Sequence, residues 1–519
     1  MKFTKHLIAL SLGVVAASSL AGCGNKKANS SNSSSDVSSS SSAKDKTTVT
    51  FWNNYPVDTD GRGTANDSNY KAYWYMVDMI AEFEKNNPSI HIETKGYGSY
   101  ASIADDVNKG LKEGKTPSMA ITYGTYAYNW EKYLVDVTDK GLAMENDSDI
   151  ISSYMDVEKQ QYGGSKYYTL PFGKSTETLM TNHEVFAAVG SEAAGIEIEK
   201  GYPAPKAIST KKAYSHPDTF SEMMDLARQM KTDYPEIFAT QKNSAGYFTA
   251  CPLIYEESEN LFFTVMESAG IPYVAAVDSA KDGVLFNNNK AKEAVCQLKK
   301  WNNEGLICVA DNLYLTDEVK NSHAYPSDVF GAGKCFMVIA TTRGSKWMAQ
   351  DGYTVDYNKL PKWDANSTVK AISQGGSICF FQKSNKAEQE AALAFYDFLN
   401  KAENLAKLSV ATDYCPIRSS SYEAEEIKAN VEAAKTGVTA SSSKDDKVKA
   451  LAGQVLNLNA EYAKSNETFM SPVNKYSASM RSEIETLITN VFSETATTDE
   501  EIKTLVENEF TKAYQNSVK

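Results

Sequence analysis

At 519 residues with 42% hydrophobic side chains, the chain has an ordinary globular composition and is longer than one hydrophobic core usually serves, so two lobes are expected. Its 53 basic against 66 acidic residues leave a formal net charge of −13, which argues against nucleic acid or anionic lipid as a partner of the folded body. The acidic charge is spread along the chain rather than blocked, so it serves solubility.

Lys2 and Lys5 precede an apolar run from Leu7 to Ala17, and Leu20-Ala21-Gly22-Cys23 follows, the order of charge, apolar core and small residues of an export signal. The last four residues resemble a lipobox, in which the cysteine receives a diacylglycerol and becomes the new N-terminus after cleavage. Residues 1–22 are therefore expected to be a lipoprotein signal peptide and Cys23 the lipid attachment site. The apolar run is roughly half of the ~20 residues a spanning helix needs, and no later stretch is both long and uncharged. The lipid is thus the one membrane contact expected. Residues 23–46, rich in Ser, Ala, Asn, Lys and Asp, cannot offset the entropy of ordering and read as a disordered tether.

The fold is expected from Thr47. Val49 to Trp52 reads as a strand, Tyr73 to Lys85 as a helix stopped by Asn87-Pro88, Ile90 to Thr94 as a strand, Ile103 to Glu113 as a helix, and Met119 to Thr122 as a strand. Strands alternating with helices over so short a span indicate a parallel α/β sheet. Tyr167 to Phe172 and Leu179 to Asn182 lack helical periodicity and are placed as a crossing between lobes. Thr219 and Glu222 have capping-box spacing, which predicts a helix over Phe220 to Met230. A further helix is predicted over Ala291 to Trp301, a buried strand over Lys334 to Ala340, and a turn at Ser373 to Ser377 before a strand at Ile378 to Phe381. Ala391, Ala394, Phe395, Phe398 and Leu399 form one stripe of a helix, and the chain from Glu423 onward is largely helical, with a Ser-rich break at Thr439 to Lys444.

Few motifs carry chemistry. Gly173-Lys174-Ser175-Thr176 has the end of a phosphate loop, but Tyr168 stands where the first glycine is needed and no helix pattern starts at the lysine. Asp58, Asp60 and Gly63 share offsets with a calcium loop, yet Arg62 and Asn69 break the oxygen-donor series, so a surface loop is expected. Ser441 and Lys444 have S-x-x-K spacing inside a Ser-rich stretch and read as linker. No nucleophile elbow or Cys/His constellation is visible, and neither a catalytic residue, a metal nor a cofactor is expected. Cys251, Cys296, Cys308, Cys335, Cys379 and Cys415 lack short paired spacings and read as buried free thiols. Tyr123, Tyr126, Tyr128 and Trp130 follow a parallel strand, where ligands gather in such sheets, and aromatic faces suit sugar rings.

The order of these segments resembles the extracellular solute-binding proteins of bacterial ABC importers, in the group with maltose-type and glycerol-3-phosphate-binding receptors. Thr50-Phe51-Trp52 is similar to the family's first strand, and Ile80-Ala81-Glu82-Phe83-Glu84-Lys85-Asn86-Asn87-Pro88 to its first helix and stop. Leu170-Pro171-Phe172 through Phe186 resembles the first interlobe crossing, and Pro217-Asp218-Thr219-Phe220 the opening helix of the second lobe. Gly375-Gly376, the helix to Leu399 and Tyr414-Cys415-Pro416-Ile417-Arg418 complete the resemblance. In the glycerol-3-phosphate subgroup it implies ligand contacts at Tyr97 (or Tyr100), Tyr123, Ser175, Thr342, Arg343, Gly375, Gly376, Tyr414 and Arg481. Gly124 stands where that subgroup carries a glutamate, which removes an acceptor for a glycerol hydroxyl. Arginine forks favour phosphate or carboxylate, while Tyr, Ser and backbone amides suit hydroxyls.

The resemblance implies a two-lobe α/β periplasmic-binding-protein fold of type II, each lobe a mainly parallel sheet flanked by helices, with several interlobe crossings. The expected lobes are 47–168 with 375–422, and 169–374 with 423–519. The implied function is that of a monomeric, lipid-anchored substrate-binding protein on the outer face of the cell membrane. It would capture a sugar or oligosaccharide, or alternatively a polyol phosphate, and hand it to an ABC permease. A secreted glycoside hydrolase using two separated carboxylates is the rival of another class, and an adhesin a third.

Overall fold

The computed structural model describes residues 46–64, 70–160, 165–189, 212–275, 283–314, 324–350, 352–465, 467–470 and 473–519. The signal peptide, Cys23, Asn69 and the tether as far as Asp45 lie outside them. In chain order the strands are β1 (Thr47–Asn53), β2 (Ile90–Gly96), β3 (Met119–Thr122), β4 (Thr169–Pro171), β5 (Gly173–Asn182), β6 (Leu253–Tyr255) and β7 (Ile307–Val309). They continue as β8 (Met337–Thr341), β9 (Val355–Asn358), β10 (Ala371–Gln374), β11 (Ser377–Phe380), β12 (Cys415–Pro416) and β13 (Thr468–Phe469).

These strands make two mixed sheets inside one compact unit spanning 46–519. The first has the order β2-β1-β3-β11-β4, with β1 parallel to β2 and β3, and β11 antiparallel to β3 and β4. In the second, of order β13-β10-β5-β8-β6-β7, β6 is parallel to β7 and β8, while β5 runs antiparallel to β8, β9, β10 and β12. Each sheet has its own apolar core. Around the first, the alternation of β1 buries Val49 and Phe51 completely, and the helix Lys386–Leu399 lays Phe395 edge-on to Phe51 at 5.8 Å. Burying one such aromatic side chain stabilises the fold by about 2–3 kcal/mol.

Local chemistry starts and stops the helices where the spacing predicts. The helix Lys71–Asn86 ends ahead of Pro88, and Ser99 caps the helix Tyr100–Glu113 by accepting from the Ser102 amide at 3.1 Å. Thr219 and Glu222 close the expected capping box on the helix Phe220–Asp233. The C-terminal region is helical over Glu425–Thr436, Lys444–Ser465, Ser477–Ser493 and Asp499–Ser517.

The chain passes between sheets at three adjacent points. Phe172 separates β4 from β5, Gly375-Gly376 separates β10 from β11, and β12 pairs with β5 at Lys174 and Gly173. Gly375 takes a φ of +98°, and a Cβ there would lie 2.2 Å from the Gly173 carbonyl oxygen, so only glycine lets these crossings touch.

The lysine of the Gly173-Lys174-Ser175-Thr176 sequence lies on β5 with no exposed surface, and its Nζ donates to Glu158 Oε1 at 2.6 Å. Thr169 Oγ1 donates to Glu158 Oε2 at 2.6 Å, Lys174 also donates to Ser377 Oγ at 3.1 Å, and the Ser377 hydroxyl reaches Glu158. This clasp ties the helix Ser152–Gln160 to β4, β5 and β11 at the crossing, so Lys174 serves structure rather than phosphate. The Asp58 carboxylate accepts from Trp74 Nε1 at 3.0 Å and the Asp60 amide at 2.9 Å, which commits it to shaping its loop. Cys251, Cys308, Cys335, Cys379 and Cys415 are buried free thiols, whereas Cys296 is only partly covered.

Candidate binding cleft

Parallel strands deliver their following loops to one edge, and in the first sheet that edge is lined with tyrosine. Tyr55 follows β1, Tyr97 and Tyr100 follow β2, and Tyr123 follows β3 as the residue capping the helix Gly124–Trp130. Because β11 runs antiparallel to β3, Gly376 and Ser377 reach the same edge, with Ser377 opposite Thr122. In the second sheet Glu256 follows β6 and Thr341 ends β8, while Ser175, near the start of β5, pairs with Gln374, the last residue of β10. The crossings hold these two edges against each other, and the space between them is the candidate cleft.

Its centre is a cluster of tyrosines. The Tyr100 and Tyr123 rings lie 4.1 Å apart, and the Tyr100 and Tyr414 hydroxyls are hydrogen-bonded at 2.8 Å. Gly376 leaves room for Tyr100, since a Cβ at that position would lie 3.0 Å from the Tyr100 hydroxyl and 2.3 Å from Ile121 Cγ2. Burial first, then the neighbouring Tyr414, pushes the Tyr100 and Tyr123 phenols far up, so both stay protonated at neutral pH and can donate. The Arg343 guanidinium lies over the Tyr414 ring at 5.2 Å. No ion pair or side-chain hydrogen bond engages that guanidinium among the described residues, which leaves its five donors for whatever enters.

Arg481 is differently placed. Its Nη2 donates to Glu259 Oε1 at 2.8 Å and Asn260 Oδ1 at 2.7 Å, and it lines a small cavity of about 70 Å³ with Tyr123, Gly124, Ser373 and Gln374. Below it, Glu177 is fully buried, accepting from Tyr255 Oη at 2.5 Å and Asn260 Nδ2 at 2.8 Å. Burial raises its carboxyl to about 7 against the lowering effect of those two donors.

Of the positions singled out in the sequence, Tyr123, Arg343, Gly375, Gly376 and Tyr414 come together with Tyr100, and Arg481 approaches Tyr123 from the second lobe. Ser175 lies buried beside them, its hydroxyl 3.5 Å from Thr341 Oγ1. Two positions face elsewhere. The Thr342 hydroxyl accepts from the Thr176 amide at 3.1 Å with no exposed surface, and Tyr97 donates to Asp106 Oδ2 at 2.8 Å beneath Lys95. Trp130 closes the core, donating to Asn108 Oδ1 at 2.8 Å, with Tyr126 stacked against it. Tyr55 and Glu256 escaped sequence reasoning, since each follows a short strand with no motif around it. Among the described residues no group of three or more His, Cys, Asp or Glu side chains could hold a metal, and no helix is long and apolar enough to cross a membrane.

Two sheets joined by several crossings, with an uncommitted guanidinium and tyrosine hydroxyls at their facing edges, define a two-lobe ligand-binding protein of the periplasmic type. The family model for bacterial extracellular solute-binding proteins matches residues 78–435, more than half of the chain, and the protein belongs to that family. A stretch of 95 residues is 25% identical to the sn-glycerol-3-phosphate-binding periplasmic protein UgpB of Rhizobium meliloti, covering 18% of this chain and 22% of that protein's length. Similar solved structures include the cyclic α-maltosyl-1,6-maltose binding protein of Arthrobacter globiformis, at 13% identity and a TM-score of 0.59 over 91% of this chain and 100% of that one. UgpB of Mycobacterium tuberculosis in complex with glycerophosphocholine gives 13% and 0.57, with 91% and 98% covered. The substrate-binding protein Lmo0181 of Listeria monocytogenes in complex with cycloalternan gives 17% and 0.56, with 90% and 99% covered. At these identities the structural likeness establishes the fold.

Proposed function

We propose that the protein captures a sugar or oligosaccharide in this cleft and delivers it, chemically unchanged, to the permease of an ABC importer. The observation that carries the reading is the Tyr100–Tyr123–Tyr414 cluster under the unpaired Arg343 guanidinium, where ring faces meet hydroxyl and guanidinium donors. Aromatic faces with a few fixed polar groups are the usual lining of a sugar site. The neighbours named for binding cyclic α-maltosyl-1,6-maltose and solved in complex with cycloalternan support the same class. Ligand contacts are assigned to Tyr100, Tyr123, Ser175, Arg343, Gly375, Gly376, Tyr414 and Arg481. The moving bodies are 47–171 with 375–422 and 172–374 with 423–519, the first boundary lying at Phe172 rather than at the expected 168/169 because β4 pairs with β11 in the first sheet. Contacts made by both exist only in the closed form, so ligand shifts the population toward it and the permease reads that form. The protein acts as a monomer held at the outer face of the cell membrane by the lipid on Cys23.

A thermal-shift panel of glucose, maltose, maltotriose and sn-glycerol 3-phosphate tests the ligand class. A ligand bound by the native state alone at a hundred times its Kd stabilises by about 2.7 kcal/mol. Saturable stabilisation by a sugar, at one ligand per chain and with the sugar recovered intact, is expected. Stabilisation by the glycerol phosphate alone, or cleavage of the sugar, overturns the reading. The anchor is tested by feeding cells a labelled fatty acid: label should appear on the wild-type chain and not on Cys23→Ser.

A further inference from the structure

Beside the tyrosine cluster lies a larger cavity, of about 470 Å³, within the size range of small-molecule sites. It is built on the second lobe by the 3-10 turn Thr342–Met348 and the start of the helix Pro326–Gly331. Its walls include Glu256, Tyr325, Asp328, Thr341 and Trp347. Tyr325 and Trp347 are 59% and 55% exposed, the two most exposed aromatic side chains among the described residues. A single exposed aromatic residue needs no explanation. Two that converge on one concavity, with carboxylates beside them, have the composition of a site.

The cavity continues the cleft. Thr341 stands at the boundary, its Oγ1 3.5 Å from Ser175 Oγ and its amide donating to Glu256 Oε2 at 3.2 Å. One 3-10 turn carries both Arg343, over Tyr414, and Trp347, in the cavity wall, so the two lie four positions apart. At about 2 Å of rise per residue that is roughly 8 Å along the turn, enough for a further sugar ring and too far for one ring to span both. Trp347 and Tyr325 supply faces for the apolar side of a sugar, and the Glu256 and Asp328 carboxylates supply hydroxyl acceptors.

We infer that the Tyr325–Trp347 cavity is an outer sugar subsite and that the ligand is an oligosaccharide long enough to occupy it together with the tyrosine cluster. The inference rests on the sugar reading of the cleft and extends it to chain length. The test is calorimetric titration of the full-length protein, in detergent, with malto-, cello- and xylo-oligosaccharides of one to six units, repeated for Trp347→Ala and Tyr325→Ala. Affinity should rise about tenfold or more between two and four units, and the tetrasaccharide-to-disaccharide ratio should collapse toward one in each variant. Urea midpoints check that both variants are folded, and Trp347→Phe, which keeps a stacking face, should retain the ratio. Affinity independent of length, or a ratio unmoved by Trp347→Ala, overturns the outer subsite while leaving sugar binding intact. Binding by no sugar of any length overturns the sugar reading and the subsite with it.

Discussion

Removing Lys174 while leaving Glu158 in place tests whether the crossing between the lobes is held by a buried ionic clasp. Both side chains have no exposed surface, and the Glu158 carboxylate takes the Lys174 ammonium at 2.6 Å together with the hydroxyls of Thr169 and Ser377. In Lys174→Met two hydroxyl donors remain, but the compensating charge is gone from a carboxylate with no exposed surface. Stranding one partner of a buried pair costs about 3–5 kcal/mol, because the other charge keeps its desolvation penalty without its attraction. The double variant Lys174→Met/Glu158→Gln removes the stranded charge and keeps an acceptor for Thr169 and Ser377, so it should recover at least half of that loss. Urea unfolding is the measure, with the midpoint falling at constant slope if the native and unfolded states are otherwise unchanged. A single variant within about 1 kcal/mol of wild type, or a double variant no better than the single, would refute the clasp as a net electrostatic tie.

Other outcomes follow from contacts at the same crossing and nearby. Gly376→Ala places a Cβ 2.3 Å from Ile121 Cγ2 and against the Tyr100 hydroxyl, so it should cost about 1–3 kcal/mol and displace Tyr100. Denaturation and ligand titration should therefore both report it, and unchanged affinity would separate Tyr100 from the binding surface. Glu177, raised to about 7 in the fold from its usual value near 4.5, holds a proton that the unfolded chain has already released between those values. Its contribution is therefore fully present at acid pH and lost as pH rises through about 7, by at most about 3 kcal/mol. Glu177→Gln should flatten that part of the stability profile, and an identical slope in the variant assigns the pH dependence elsewhere. Thr219→Ala removes the acceptor for the Glu222 amide and should lower stability by about 1 kcal/mol, as read from the urea midpoint.

How far the sequence discloses such a molecule depends on whether the physics involved is local. The helix Phe220–Asp233 was legible because its capping box lies within four residues, and β1, β2 and β3 were legible because their apolar runs alternate with amphipathic helices. The paired glycines were legible as a turn before a strand, whereas the close backbone approach that leaves no space for a Cβ came only from the structure. Side-chain direction was not. Thr342 and Arg343 are consecutive, yet one hydroxyl is consumed by the Thr176 amide while the neighbouring guanidinium stays open, and only the packing of β5 against β8 decides which. Tyr97 and Tyr100 both follow β2, but a cap at Ser99 turns the helix so that Tyr100 meets Tyr414, more than three hundred residues away, while Tyr97 falls back on Asp106. The Tyr325–Trp347 cavity was invisible for the same reason, its two aromatics being contributed by segments without shared periodicity. Specificity in a two-sheet binding protein is thus written in long-range juxtapositions, whereas its scaffold is written in short-range pattern. A change of ligand therefore requires altering only the few loops that meet at the sheet edges, with the strands and their crossings left in place.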